Sequence, residues 1–215
     1  MLNGMAKKTL AHPDLVYEEA LWALGKERVA GVDEVGRGCL SGPVVAAAVV
    51  LPLRCPPIAQ VCDSKLLDPA LRAHLSAQIC AQALAVGIGA AGVAEIERVN
   101  ILLASHLAMA RALRRVGPVD HALVDGSPVR GVDLGEHTTI VDGDALCYSI
   151  ACASIVAKVV RDRFMERLAR RHPGYGWERN AGYGTPQHLA ALATLGITVW
   201  HRRTFAPVRR LIENC

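Results

Sequence analysis

Residues 28–51 read RVAGVDEVGRGCLSGPVVAAAVVL, and this stretch decides the fold class. Both of its ends are rich in Val and Ala, which predicts two strands over residues 28–35 and 44–51. The turn GRGCLSGP between them contains three glycines and a proline, so we expect the strands to pair as a hairpin. Asp33 and Glu34 follow apolar residues in the first strand, so two carboxyl groups are anchored near its end.

The rest of the chain alternates further strands with helices. We predict additional strands at about 83–93, 120–128 and 138–144. We predict helices at about 15–24, 68–84, 100–116, 148–171 and 186–195, and a last short one before the C-terminus. Strands followed by alternating strands and helices indicate an α/β fold, a mixed sheet with helices packed on it. We divide the chain into a lead-in (1–27), a catalytic core (28–172) and a C-terminal helical region (173–215).

Composition narrows the class of protein. The chain has 215 residues, of which 52% are hydrophobic and 20% charged. That length and balance fit a globular domain and exclude a disordered or fibrous chain. The net charge is only +4, yet residues 155–215 carry 11 Lys and Arg against four acids. This basic stretch suits a polyanionic partner, although on charge alone a solvated helix face explains it better.

The cysteines and the N-terminal sequence indicate the cellular compartment. The seven cysteines include no CxxC pair, so they read as reduced thiols of a cytoplasmic protein. The N-terminus lacks the apolar segment of a signal peptide. The longest apolar run, residues 43–53, is shorter than the ~20 residues that cross a bilayer. We therefore expect no membrane association.

The segment GIGAAG at residues 87–92 matches the dinucleotide-binding pattern GxGxxG. That interpretation needs an acid about 20 residues further on, at the end of a parallel strand. The residues there, Arg111 and Ala112, fall inside a predicted helix. We therefore interpret the glycines as a strand packed closely against another element.

Acids follow three apolar segments of the chain. These are Asp33 and Glu34, then Asp125, then Asp142 and Asp144. Carboxylates that converge at strand ends form a hard oxygen site suited to Mg²⁺ or Mn²⁺. Two alternatives remain open at this point. Each acid could be a turn residue, because Asp-Gly is a common turn dipeptide, and Asp144 could be only the N-cap of the long helix.

The same stretches resemble the ribonuclease HII family, the type 2 ribonucleases H. The likeness spans roughly residues 28–210 in family order. Its blocks are GVDEVGRGCLSGPVVAAAVVL, DSKLL, VNILLASHLAMARAL, LVDG, GDALCYSIACASIVAKVVRDR, AGYGTPQHLAAL and HRRTFAPV. The resemblance implies a ribonuclease H-like mixed β-sheet flanked by helices, with a small C-terminal helical subdomain.

The resemblance also implies an activity. The family cleaves RNA in RNA–DNA hybrids and single ribonucleotides embedded in duplex DNA. It cuts on the 5′ side of the ribonucleotide, leaves 3′-hydroxyl and 5′-phosphate ends, and serves ribonucleotide excision repair during DNA replication. Its metal-binding catalytic acids fall on Asp33, Glu34, Asp125 and Asp144, which would hold two Mn²⁺ or Mg²⁺ ions. Asp142 is then an additional acid that either supports the metal ligands without binding the ion or has a structural role, and we expect a cytoplasmic monomer.

Substrate-binding positions follow from the same motifs. Gly36-Arg37-Gly38 corresponds to the family loop that reads the 2′-hydroxyl, and Tyr183 to the tyrosine that packs on the sugar at the RNA–DNA junction. The positions expected to hold phosphates are Ser64, Lys65, Lys158 and Arg163. A loop-capping role is the alternative for Ser64. For His201, Arg202 and Arg203 we favour closure of the C-terminal subdomain over phosphate contact.

Two positions depart from the family pattern. Leu66 and Ala181 stand where lysine is frequent, which would weaken contacts to the nucleic-acid backbone and leave the chemistry intact. Ribonuclease HIII, which prefers longer hybrids, is the nearest alternative, but it has an extra N-terminal domain. Only about 28 residues precede the first strand here, too few for one. A catalytically silent hybrid-binding module is the other alternative, and the four intact acids argue against it.

Overall fold

The computed structural model describes residues 12–213. Its five strands are β1 Val29–Val35, β2 Val44–Val50, β3 Ala85–Ala91, β4 His121–Asp125 and β5 His137–Ile140. Its helices are α1 Val16–Ala23, α2 Pro69–Gln82, α3 Val93–Val99, α4 Ile101–Val116, α5 Gly143–Leu146, α6 Tyr148–Arg171, α7 Trp177–Asn180, α8 Pro186–Leu195 and α9 Ala206–Glu213.

The five strands form one mixed sheet in the order β3-β2-β1-β4-β5. The predicted hairpin is confirmed, because β1 and β2 pair antiparallel. On its other edge, β2 pairs antiparallel with β3. On the other side of β1, strands β4 and β5 run parallel to it. The register places Val32 opposite Val124. The ends of β1 and β4 therefore lie together at one edge, and the acids that follow them meet there.

Helices cover both faces of the sheet. On one face, α4 packs alanines and Met109 against Ala30, Val32 and neighbouring strand residues. On the other, α6 packs so closely over β1 that a Cβ on Gly31 would lie 2.1 Å from the backbone of Ser149. Only glycine allows this approach. The sheet is therefore buried on both sides, as its apolar strands require.

The glycines of β3 explain the GxGxxG match. A Cβ on Gly87 would lie 2.2 Å from the carbonyl oxygen of Ala112, and one on Gly89 would lie 2.0 Å from that of Ala108. Strand β3 thus lies directly against the backbone of α4. The prediction of a closely packed glycine-rich strand is confirmed.

Helix caps agree with the sequence in two places. Asp68 accepts hydrogen bonds from the backbone of Ala70 and Leu71, and Thr185 accepts one from His188. Three short helices, α3, α5 and α7, were not predicted. The third added strand ends at Ile140 instead of residue 144 because the chain turns there into α5.

The C-terminal region has a hydrophobic cluster of its own. Trp177, Tyr175 and Leu192 pack there with Met165 and Leu168 of α6. The last turns of α6 thus belong to this cluster as much as to the sheet core, and the boundary we placed at residue 173 stays a prediction. Among the helices that the structure describes, none is long and apolar enough to cross a membrane.

Candidate active site

Three carboxylates meet where β1 and β4 end. Oxygen atoms of Asp33, Glu34 and Asp125 lie within 4.8 Å of one another. Asp33 is buried and the other two are half-buried. Parallel pairing of the two strands causes this convergence, because it brings both carboxyl ends to one edge. Roles as isolated turn residues do not account for three acids whose oxygens converge within 4.8 Å.

The hydrogen bonds of these acids leave oxygens free. Asp33 Oδ1 accepts from the backbone N–H of Glu34 at 2.6 Å, and Asp125 Oδ1 accepts from that of Gly143 at 2.8 Å. Glu34 Oε1 accepts from Arg37 at 3.0 Å. Glu34 Oε2 is buried and has no partner among residues 12–213. A buried carboxylate oxygen without a partner is costly, so this donor set fits a divalent cation.

Electrostatics support the same conclusion. Burial raises the pKa of Asp33 well above its usual value, and the nearby charges of Glu34 and Asp125 raise it further. Burial also raises the pKa of Glu34, against the opposing effect of Arg37, and the pKa of Asp125. Three acids that resist ionisation together are a site that a cation would stabilise.

Asp144 lies in the same cavity but outside this group of three. It is buried in α5, and its Oδ2 accepts from Lys65 Nζ at 3.1 Å. This hydrogen bond raises the pKa of Lys65 although burial opposes it. Because the N-cap of α6 is Cys147, the alternative of Asp144 as its N-cap is wrong. Asp142 is exposed and is not among the residues that line the cavity.

The acids share a cavity of about 220 Å³ with most of the predicted substrate residues. Seven of the eight line it, namely Gly36, Arg37, Gly38, Ser64, Lys65, Lys158 and Tyr183. The eighth, Arg163, lines a neighbouring groove of about 350 Å³. Lys158 lines both.

The turn glycines differ in what surrounds them. Gly36 has φ +96°, and a Cβ there would lie 2.1 Å from Arg161 Nε. A Cβ on Gly38 would meet only Tyr183 Cε1, at 3.9 Å. Gly36 is thus required by the fold, whereas Gly38 leaves open space beside Tyr183, whose surface is 43% exposed.

The side chains of Ser64 and Lys158 already have hydrogen-bond partners within the protein. Ser64 is buried, and its hydroxyl lies 2.9 Å from that of Ser154 on α6. Lys158 Nζ donates to Asp162 at 2.6 Å. Their contacts to phosphate stay predictions.

Sequence reasoning missed the part played by Arg161. It is fully buried and donates only to backbone carbonyls. Its position between Ala157 and Met165, four residues from each, places it on the buried stripe of α6, and this spacing could have identified it. Arg202 and His201 are buried as well, and both bond within the fold, as favoured for closing the C-terminal region. The basic stretch is therefore only partly available to a polyanion.

Comparison with known sequences gives a consistent result. Residues 30–208 match the family described as ribonuclease HII. Ribonuclease HII of Thermosynechococcus vestitus is 62% identical over 191 residues, 89% of each chain. Ribonuclease HII of Synechococcus sp. (strain JA-3-3Ab) is 53% identical over 94% of this chain and 92% of its own.

Solved structures share the fold. The ribonuclease H2 from Pyrococcus horikoshii OT3 superposes with a TM-score of 0.69 at 26% identity, over 87% of this chain and 98% of its own. Bst-RNase HIII in complex with Mn²⁺ gives a TM-score of 0.68 over 91% of this chain and 72% of its own. At 19% identity the second likeness concerns the fold alone.

Proposed function

This chain belongs to the ribonuclease HII family and is a ribonuclease H, and from that premise we propose that it cuts duplex DNA on the 5′ side of an embedded ribonucleotide. RNA in RNA–DNA hybrids is its second substrate. The products carry 3′-hydroxyl and 5′-phosphate ends. We place this reaction in the cytoplasm, in the removal of ribonucleotides that replication leaves in DNA.

One observation carries the proposal. The clustered carboxylates Asp33, Glu34 and Asp125 share a cavity with Gly38 and Tyr183. Acids that favour a cation thus face the surface on which a nucleotide sugar would rest. This shared cavity supports an interpretation in which cleavage and the distinction between sugars take place side by side.

The acids would hold two Mg²⁺ or Mn²⁺ ions. The unpartnered Glu34 Oε2 and the raised pKa of Asp33 support the fit. When bound, such ions activate a water for attack on phosphorus and stabilise the departing 3′ oxygen. Asp144 would join the set once its carboxylate leaves Lys65, which then becomes available to a phosphate.

The chain's own residues hold the acids in place. The backbone N–H groups of Glu34 and Gly143 each fix one oxygen, of Asp33 and Asp125 respectively. Arg37 holds Glu34 Oε1 in the same way and leaves Oε2 free.

Recognition of the sugar would come from two loops. The Gly36-Arg37-Gly38 turn offers backbone groups at close range to a 2′-hydroxyl, the group that distinguishes RNA from DNA. Tyr183 offers a ring edge 3.9 Å from the Cβ position of Gly38. A ring packed on the next sugar favours deoxyribose, which lacks the extra hydroxyl. Lys158 and Arg163 would hold phosphates and set the register of the duplex.

The test compares three labelled duplexes with Mg²⁺ or Mn²⁺. One carries a single ribonucleotide, one is all DNA, and one is a long RNA–DNA hybrid. We expect cutting of the first and third, with the first cut 5′ to the ribonucleotide, and no cutting of the all-DNA duplex. Cutting of the long hybrid alone would contradict the proposal and favour a ribonuclease HIII-like preference.

A matched pair of variants locates the chemistry. Asp125→Asn should abolish cleavage while binding of the duplex survives. Asp142→Asn, at an exposed acid nearby in the chain, should keep full activity. Full activity of Asp125→Asn would refute the site, and an inactive wild-type protein that still binds hybrid would favour the silent binding module.

A further inference from the structure

Arg161 of α6 joins the two loops that we assign to sugar recognition. Its Nε donates to the carbonyl of Pro43 at 3.0 Å and its Nη2 to that of Ser41 at 3.1 Å, both in the turn between β1 and β2. Its Nη1 donates to the carbonyl of Ala181, two residues before Tyr183, at 2.8 Å. One buried guanidinium therefore ties both loops to the same helix.

This arginine has no acidic partner. None of the ion pairs formed among residues 12–213 includes it, and its side chain is fully buried. Arg202 repeats the pattern in the same turn, because it donates to the carbonyls of Gly42 and Arg37. Burying a cation without a carboxylate is costly, and only the carbonyl oxygens compensate Arg161. An apolar side chain could fill the same space without this cost, so packing alone does not explain the arginine.

Further contacts hold the two loops at a fixed distance from each other. The guanidinium lies directly beneath Gly36, where a Cβ would approach its Nε to 2.1 Å. The backbone of Leu40 in turn donates to the carbonyl of Gly182 at 2.8 Å. These contacts place the ring of Tyr183 3.9 Å from the Cβ position of Gly38. Arg161 therefore helps to hold the gap between the turn and the tyrosine, together with the backbone bond from Leu40 to Gly182.

We propose that Arg161 is a positioning residue that sets the separation between the Gly36-Arg37-Gly38 turn and Tyr183, and with it the selectivity for a ribonucleotide followed by a deoxyribonucleotide. The inference rests on the proposed function. The turn and the tyrosine contact consecutive sugars, so the two loops must keep one spacing. Inside a long hybrid the next sugar is ribose, and the contact that Tyr183 makes with deoxyribose is absent. Loosening the spacing therefore harms cleavage at the junction more than cleavage of the hybrid.

The test uses Arg161→Lys. This change keeps the charge but replaces a planar fork of five donors with one compact ammonium, which does not span both loops. Arg167→Lys is the matched control, an exposed arginine on the same helix. For wild type and both variants, kcat/KM is measured on the single-ribonucleotide duplex and on the long hybrid, with circular dichroism and melting curves as checks of folding.

We expect the ratio of junction to hybrid cleavage to fall by about tenfold in Arg161→Lys, since small displacements of positioning groups have effects of this size or more. Arg167→Lys should keep the wild-type ratio. An unchanged ratio in folded Arg161→Lys, or an equal loss on both substrates, would overturn the inference. Failure of the wild-type protein to cut the single-ribonucleotide duplex would instead overturn the proposed function.

A second variant covers the case in which Arg161→Lys does not fold. Arg202→Lys releases the carbonyls of Arg37 and Gly42 and so loosens the same turn. We expect the ratio to fall there too, and a wild-type ratio in folded Arg202→Lys would contradict the dependence of selectivity on a fixed position of the turn, on which the role of Arg161 rests.

Discussion

Gly36 and Gly38, two residues apart in one turn, are glycines for different physical reasons. Gly36 has a positive φ and no room for a Cβ above Arg161, whereas the site of Gly38 is open except for Tyr183. We expect Gly36→Ala to lower the free energy of unfolding by at least about 2 kcal/mol. Gly38→Ala should stay within about 0.5 kcal/mol of wild type.

The rate of cleavage gives a second prediction for Gly38. A methyl group on Gly38 occupies the space through which a sugar would approach, so we expect Gly38→Ala to reduce kcat/KM on a ribonucleotide substrate by at least about tenfold. Urea unfolding and the cleavage assay together check both statements. A stable and fully active Gly38→Ala would show that the open space is not the sugar site.

Asp33 offers a prediction about pH. Its raised pKa in the folded state means that folding disfavours ionisation. Above the ordinary value of 3.8, loss of the Asp33 proton favours the unfolded state, so without divalent ions the stability of the folded protein falls as pH rises. With EDTA at pH 7, we expect Asp33→Asn to raise the free energy of unfolding, because the neutral amide removes the cost of burying a charge beside Glu34 and Asp125.

The pH profile of that gain is the decisive feature. Below about pH 3.5 the carboxyl is protonated in both states, so the gain should vanish there. Asp142→Asn, at an exposed acid, should change stability little at either pH. A loss of stability in Asp33→Asn at pH 7, or an equal gain at both pH values, would contradict the electrostatic description of the site.

Sequence patterns found the acids but not all of their partners. Asp33, Glu34 and Asp125 follow apolar runs, and their convergence was predictable from strand ends. The pairing of Asp144 with Lys65 joins residues 79 positions apart, and no local pattern encodes it. The same holds for the contacts of Arg161, which depend on loops 118 and 20 residues away.

Whether a helix could be predicted from the sequence depended on its length and on its N-cap residue. The helices α4 and α6 are long and periodic, and α2 and α8 follow the N-cap residues Asp68 and Thr185. Their sequences therefore predict them. The missed helices α3, α5 and α7 span seven, four and four residues. The N-cap of helix α3 is Gly92, whose N–H donates to Glu95, and a glycine there resembles the end of a strand.

The contact between β3 and α4 yields a prediction at this scale. A methyl group on Gly89 would collide with the backbone carbonyl of Ala108, so strand and helix must separate. We expect Gly89→Ala to lower the free energy of unfolding by about 2–3 kcal/mol. Below the melting temperature, kcat/KM should stay within about twofold of wild type, because the site lies at the other strands.

Gly92→Ser is the matched control for this change. An added side chain there meets nothing within 4 Å, and serine is a good N-cap. Denaturant unfolding of both variants measures the difference. A Gly89→Ala protein as stable as Gly92→Ser would show that the strand does not lie directly against the helix backbone.

At the scale of the whole molecule, the distribution of charge matters more than its sum. Part of the basic stretch is buried, and Lys158 and Arg72 are paired with Asp162. The exposed arginines Arg163 and Arg179 line the groove beside the cavity. On charge alone a solvated helix face explained the basic stretch better than a polyanion partner, and only the folded arrangement shows which of its cations are exposed beside the cavity.

Those two arginines should control salt dependence. In the inactive Asp125→Asn background, we expect Arg163→Gln and Arg179→Gln each to reduce the slope of log binding constant against log salt by about one. Arg114→Gln, an exposed arginine on α4, should leave the slope unchanged. Fluorescence anisotropy with a labelled duplex over a salt series provides the measurement. Equal slopes for all three variants would remove the groove from the binding surface.

The nature of the cut ends tests the central claim, that the carboxylate site cleaves the phosphodiester 5′ to a ribonucleotide with water as the nucleophile. That phosphate joins the preceding 3′ oxygen to the ribonucleotide's 5′ oxygen, so the ribonucleotide's 2′-hydroxyl is not adjacent to it and does not take the place of water. Mass spectrometry of both fragments from a single-ribonucleotide duplex identifies the ends. We expect a 3′-hydroxyl on the upstream fragment and a 5′-phosphate on the ribonucleotide. A cut on the 3′ side that leaves a 2′,3′-cyclic phosphate would contradict the account.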